Sequence, residues 1–238
     1  MTDLSAEAPW AEPVLRRLRS LACLEDGDLE LAAAGLGSPV QHRAWVDLGD
    51  DGGRVCRFLV SGWACRVHVT PWGARQILDV LLPGDAIGFA RGQPEGLWRV
   101  LALTPGSVCD ATDLRALAPE EDPAHARLAQ AAAVLERERT ERMLDHMGRI
   151  GGGTAYQALG HLFLELRARL AVVGLIEDER CPMRLTQKVL AETLGITSVQ
   201  VNRVLGQFRR EGLIMMGPGW ADMPDLEGLA MAIGLART

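Results

Sequence analysis

Residues 187–214 read QKVLAETLGITSVQVNRVLGQFRREGLI, and their spacing admits few folds. Val201, Val204, Leu205 and Phe208 recur at i, i+3, i+4 and i+7, the buried stripe of an amphipathic helix. Thr197 stands where such a helix would be capped, and Gln200 three residues later completes a capping box. Upstream, Gly195 tolerates the positive φ of a tight turn, and Ala191 is small where two helices must approach closely. The stretch therefore predicts two short helices joined by a glycine turn, the second over about 198–210. The next residues, MMGPGWAD, predict a small hairpin around Gly217-Pro218-Gly219. A helix pair followed at once by a short hairpin is a winged helix-turn-helix.

Charge sharpens this reading. The chain has 238 residues, with 25 Lys and Arg against 31 Asp and Glu, a net charge of −6. That balance excludes a protein that coats nucleic acid indiscriminately. Within 183–214 the sign reverses: Arg184, Lys188, Arg203, Arg209 and Arg210 face only Glu192 and Glu211. The side opposite the apolar stripe carries Ser198, Val199, Gln200, Asn202 and Arg203. Hydrogen bonders, one cation and one apolar group suit the base edges of a major groove, where a valine can meet a thymine methyl. Arg209 and Arg210 suit orienting contacts to phosphates; Thr186, Gln187 and Thr197, at the helix starts, are counted with the DNA contacts. The plainer alternative for the same spacing is an ordinary antiparallel helix pair.

The rest of the chain changes texture twice. Residues 1–36 read as helical, with Asp26 or Asp28 as a cap. From about 39 to 114, short apolar runs rich in Val, Gly and Trp alternate with turns, which predicts a sandwich or barrel. Ser61-Gly62 predicts a tight hairpin, Pro83-Gly84-Asp85 a strand end, and Pro105-Gly106 a turn between two more strands. Residues 123–150 contain no proline or glycine between Pro123 and Gly148 and predict a long helix. Its apolar groups, Leu128, Ala132 and Leu135, then Met143, Met147 and Ile150, fit either packing on its own domain or a seam with a twin helix. Gly151-Gly152-Gly153 marks a boundary before a second helix, apolar at Leu159, Leu162, Phe163 and Leu166.

No run of about 18 apolar residues occurs, and the N-terminus lacks a secretory pattern, so cytoplasmic residence without a membrane partner is expected. Cys23, Cys56, Cys65, Cys109 and Cys181 form no CxxC pair and read as buried thiols. His42, His68, His125, His146 and His161 are scattered over all three textures. A cupin-like metal enzyme is the alternative function class, and their dispersal counts against it; no catalytic motif is present, and no cofactor is expected.

On FLVSGWACRVHV, GARQILDVLLPGD and LTQKVLAETLGITSVQVNRVLGQFRREGLI, nearly the whole chain resembles the Crp/Fnr family of bacterial transcription regulators. The resemblance implies an α+β fold: an antiparallel β-roll (double-stranded β-helix) with flanking helices over 1–122, a long dimerisation helix over 123–150, and a winged helix-turn-helix over 151–238. It also implies a homodimer on a palindromic operator in double-stranded DNA, with RNA polymerase as a further partner, and so assigns Leu128, Ala132 and Leu135 to the dimer helix. Its base-reading positions fall on Ser198, Val199, Asn202 and Arg203. Val199 departs from the glutamate common in the best-known branches and cannot accept from a cytosine amino group. The effector positions fall on Gly84, Asp85, Glu95 and Gly96, where a carboxylate replaces the arginine that would hold a cyclic phosphate. Cyclic AMP is therefore not expected, and the signal is unassigned. Cys181 is a candidate redox thiol if exposed. A sensor whose winged helix binds protein is a further alternative.

Overall fold

A computed structural model describes residues 8–49, 55–88, 98–116, 123–176 and 180–235. Contacts divide the chain into two compact units, one of residues 1–67 and 80–142, the other of residues 68–79 and 143–238.

The first unit opens with helices α1 (Glu12–Leu21) and α2 (Asp26–Ala34). The cap of α2 is Glu25, and Asp28 is its partner at the third position of the capping box, so neither aspartate proposed as the cap has that role. The strands follow: β1 (Val40–His42), β2 (Arg57–Ser61), β3 (Ala64–Val69), β4 (Arg75–Leu81), β5 (Ala86–Ile87), β6 (Arg99–Ala102) and β7 (Gly106–Asp110), of which residues 68–79, the end of β3 and most of β4, belong to the second unit. They form two sheets, ordered β1-β7-β2-β5 and β4-β3-β6. The pairings β1–β7, β2–β5, β2–β7 and β3–β6 are antiparallel.

The pairing corrects one expectation. Ser61-Gly62 is not a hairpin turn, because β2 and β3 lie in different sheets. It is a corner at which the chain leaves one sheet for the other, and Pro105-Gly106 is the matching corner between β6 and β7. The two corners touch: a Cβ on Gly62 would lie 2.7 Å from the Pro105 carbonyl, and one on Gly106 would lie 2.1 Å from the Ser61 carbonyl. Both glycines are required by this close approach.

Strand β2 is buried on both faces. Alternate residues point to opposite sides of a strand, so Phe58 and Val60 enter a core shared with Val14, Leu18 and Leu29. Leu59 enters a second core with Ala64, Leu81, Ile87 and Val100. Short helix α3 (Thr112–Ala116) adds Leu114 to the first core.

Helix α4 runs over Pro123–Gly152, past the first two glycines of the expected boundary. Leu128 and Leu135 are each 5% exposed and lie in the first core with Ala131, while Ala132 packs on that core half-buried. The dimer-seam assignment of these residues is therefore corrected: they fill their own unit, and a helical period does not say which surface covers it. Arg127 fastens this face through Nε and Nη2 to the buried Asp28 carboxylate at 2.6 and 2.8 Å. That hydrogen bonding holds Asp28 below the usual carboxylate range.

The second unit contains α5 (Ala155–Val172), β8 (Arg180–Pro182), α6 (Gln187–Leu194), α7 (Ser198–Arg210), β9 (Met215–Gly217), β10 (Trp220–Asp222) and α8 (Leu226–Ala232). Its sheet is ordered β8-β10-β9, so the expected two-stranded wing carries a third strand. Among the described residues, no helix is long and apolar enough to cross a membrane.

Leu135→Ala is expected to lower the unfolding free energy by about 2–4 kcal/mol in urea titrations. The loss should be the same at low and high protein concentration; one that shrinks with concentration would return Leu135 to an intersubunit seam.

Candidate nucleic-acid interface

The geometry of the second unit starts from α5. Thr154 caps it and Gln157 completes the box. Its apolar side, Leu159, Leu162, Phe163 and Leu166, is buried. Gly160 brings two neighbours close, since a Cβ there would lie 2.6 Å from Ile233 and 3.2 Å from the Phe208 ring. Tyr156 packs on Phe208 with centroids 4.3 Å apart and donates to Glu211 Oε2 at 2.5 Å, which ties α5 to the end of α7.

Thr186 caps α6, accepting from the Val189 amide. Gly195 ends that helix at φ +65°. Thr197 caps α7 and accepts from the Gln200 amide, while the Thr197 amide and hydroxyl donate to Gln200 Oε1 at 2.9 and 3.0 Å. Val201, Val204, Leu205 and Phe208 are buried. Ser198, Val199, Asn202, Arg203, Arg209 and Arg210 are exposed on the remaining surface, as are Thr186, Gln187 and Thr197. Asn202 and Arg209 line a cleft of about 230 Å³ with Gln187, Gly206 and Met216 of the wing. Gln200 differs from its neighbours: half-buried, with its carbonyl held by Thr197, it retains only its amide nitrogen for any ligand.

Cys181 is buried in β8 opposite Ala221, and burial pushes its thiol up to about 11, which removes the proposed redox role. Gly84 adopts φ +90°, and the buried Asp85 carboxylate accepts from the Leu82 amide at 2.7 Å, so both shape the turn after β4. Glu95 and Gly96 lie outside the described residues. Among the described residues, no three His, Cys, Asp or Glu side chains could hold a metal ion together.

Sequence reasoning missed two features of this unit. Gln76 of β4 donates through Nε2 to the Glu192 and Thr193 carbonyls at 3.0 and 3.1 Å, satisfying groups that the end of α6 leaves open. Arg75 lies 3.6 Å from Glu192. The second feature is a buried polar network. Arg149 donates from Nε to His161 Nδ1 at 3.1 Å and from Nη2 to Glu165 at 2.5 Å. Arg169 bonds Glu165 at 2.9 Å and lies 4.0 Å from Asp79. Burial alone would raise Glu165, but Arg169 and Arg149 hold it low. Burial, reinforced by Arg149, depresses both His146 and His161. Neither feature has a local signal, since each joins residues distant in sequence. The C-terminal helix α8 did have one: Asp225 caps it by accepting from the Gly228 amide at 2.7 Å.

Both histidines stay neutral in the folded chain when an unfolded histidine, titrating near 6.5, has begun to take up a proton. The unfolded state then binds more protons, so stability falls as pH drops from about 6.5 toward 5.5. Depressed carboxylates such as Glu165 and Asp28 act in the same direction only at lower pH. Thermal midpoints should decrease across that window in the wild type and less in His146→Gln/His161→Gln. Equal slopes in the two proteins would contradict this assignment.

Comparison with known proteins agrees with this geometry. A family model of a Crp-like helix-turn-helix domain matches residues 157–232. The transcriptional regulatory protein btr of Bordetella pertussis is 28% identical over 167 residues, covering 68% of this chain and 66% of the relative, just under two thirds of its length. The nitrogen fixation regulation protein FixK of Azorhizobium caulinodans is 25% identical over 209 residues, 87% of this chain and 82% of the relative. The structure of FixK2 from Bradyrhizobium japonicum superposes with a TM-score of 0.71 at 20% identity, covering 84% of this chain and 98% of that one. Residues 157–232 thus carry a Crp-like helix-turn-helix domain, and most of the chain is similar to transcription and nitrogen-fixation regulators and shares the fold of FixK2.

Proposed function

We propose that the chain acts as a homodimer on a palindromic DNA operator, with α7 in the major groove and the β-roll relaying a signal to it. The observation that carries this reading is the exposed face of α7. Ser198, Val199, Asn202 and Arg203 project from a helix whose rotation is fixed by burial on its other side, and Arg209 and Arg210 stand at its end for phosphates. Dimer symmetry would place two such helices one turn of DNA apart.

Helix α4 supports the homodimer. With Leu128 and Leu135 buried in their own unit, its exposed residues include Glu141, Asp145 and Ile150, and one line of exposed positions along the helix is Ala126, Gln130, Ala133, Arg137, Thr140, Leu144 and Met147. They recur every three or four residues, the spacing of a coiled-coil seam, and Leu144 and Met147 are 61% and 67% exposed. A second copy of the chain is the partner for this stripe. RNA polymerase is the proposed further partner of the DNA-bound dimer.

Arg203→Ala and Arg210→Ala separate base reading from phosphate binding. The test is fluorescence anisotropy on a selected duplex and a random one, across salt concentrations. Arg203→Ala should reduce discrimination between the duplexes by roughly tenfold or more. Arg210→Ala should weaken both duplexes alike and lower the salt slope by about two for a dimer. Equal loss of discrimination in the two variants would contradict this placement of α7.

A further inference from the structure

Val199 is an apolar group on an otherwise polar reading face. It is 79% exposed at the second position of α7, outside the buried stripe of Val201, Val204, Leu205 and Phe208. A single exposed hydrophobic residue is ordinary, so its surroundings must decide. Asn202 and Arg203 follow at i+3 and i+4, on the same side of the helix, and both are exposed. Those two side chains have the donor geometry for adenine and guanine edges. One turn further, Gly206 carries no side chain, and a Cβ there would meet only Arg210 Nη1, at 3.6 Å, so the backbone can approach a ligand closely. Of its polar neighbours, Ser198 is short and exposed beside it, and Gln200 has its carbonyl engaged in the cap. Val199 is therefore the apolar group near the start of the face, and a valine in a helix holds almost one side-chain rotamer. It presents its methyl groups in a fixed direction with little entropy to lose.

The only apolar group displayed by base edges in the major groove is the C5-methyl of thymine. We infer that Val199 selects a thymine in each half-site by packing on that methyl. This inference rests on the proposed placement of α7 in the groove. Four helical residues span about 6 Å, and base steps along a strand are about 3.4 Å apart. The thymine thus lies one or two steps from the guanine read by Arg203. 5-Methylcytosine carries the same methyl and should substitute in part, whereas unmodified cytosine should not.

The test uses the full-length chain and a duplex it selects from a random pool. Each thymine is replaced in turn by deoxyuridine, which removes the methyl and leaves every hydrogen-bonding group in place. One thymine per half-site should lose about fourfold in affinity, the worth of one buried methyl, and the others should change little. Val199→Ala, a substitution that favours the helix, should bind uracil and thymine equally at that position while keeping its preference at the guanine. Binding that is blind to uracil everywhere, or a Val199→Ala protein that still distinguishes the two bases, overturns the inference while leaving the DNA reading intact. A chain that selects no duplex overturns both.

Discussion

Four side chains, Val201, Val204, Leu205 and Phe208, set the rotation of α7. Each is at most 8% exposed, and turning the helix by a single residue, about 100°, would drive a polar group into the core and an apolar one into water. Everything assigned to the opposite face depends on that restriction. The Thr197 cap fixes where the helix starts, Gly195 lets the chain enter it, and the Tyr156 bond to Glu211 holds its far end. The exposed face of α7 is oriented by the burial of its other side and by the contacts at both ends.

The winged helix was legible in the sequence because its determinants are local. Cap, turn glycine and apolar stripe all fall within 28 consecutive residues, and each has a physical reason independent of the others. The β-roll was legible only in outline. Strands and turns could be located, but Ser61-Gly62 reads the same whether the chain reverses within one sheet or passes into another. The outcome depends on Pro105-Gly106, more than forty residues away. In α4, Leu128 and Leu135 show that a surface is covered without showing by what. The assignment to a twin failed because the covering groups, Val14, Leu18 and Phe58 among them, come from a distant part of the same chain.

Polar groups illustrate the same limit. The capping role of Thr197 and Gln200 was readable from their spacing, but its consequence was not: the carbonyl of Gln200 is engaged with the cap, while Ser198, Val199, Asn202 and Arg203 remain exposed. The pairing of Arg149 with His161 and Glu165, and of Gln76 with the end of α6, required coordinates. Strand β2, sealed on both faces, borders two separate cores of the first unit.

Methylation interference at guanine N7, an atom that lies in the major groove, tests the central claim most directly. On a duplex selected by the full-length chain, sensitivity should appear in two blocks about ten base pairs apart, related by the symmetry of the site. A single block, or interference confined to minor-groove positions, would contradict it.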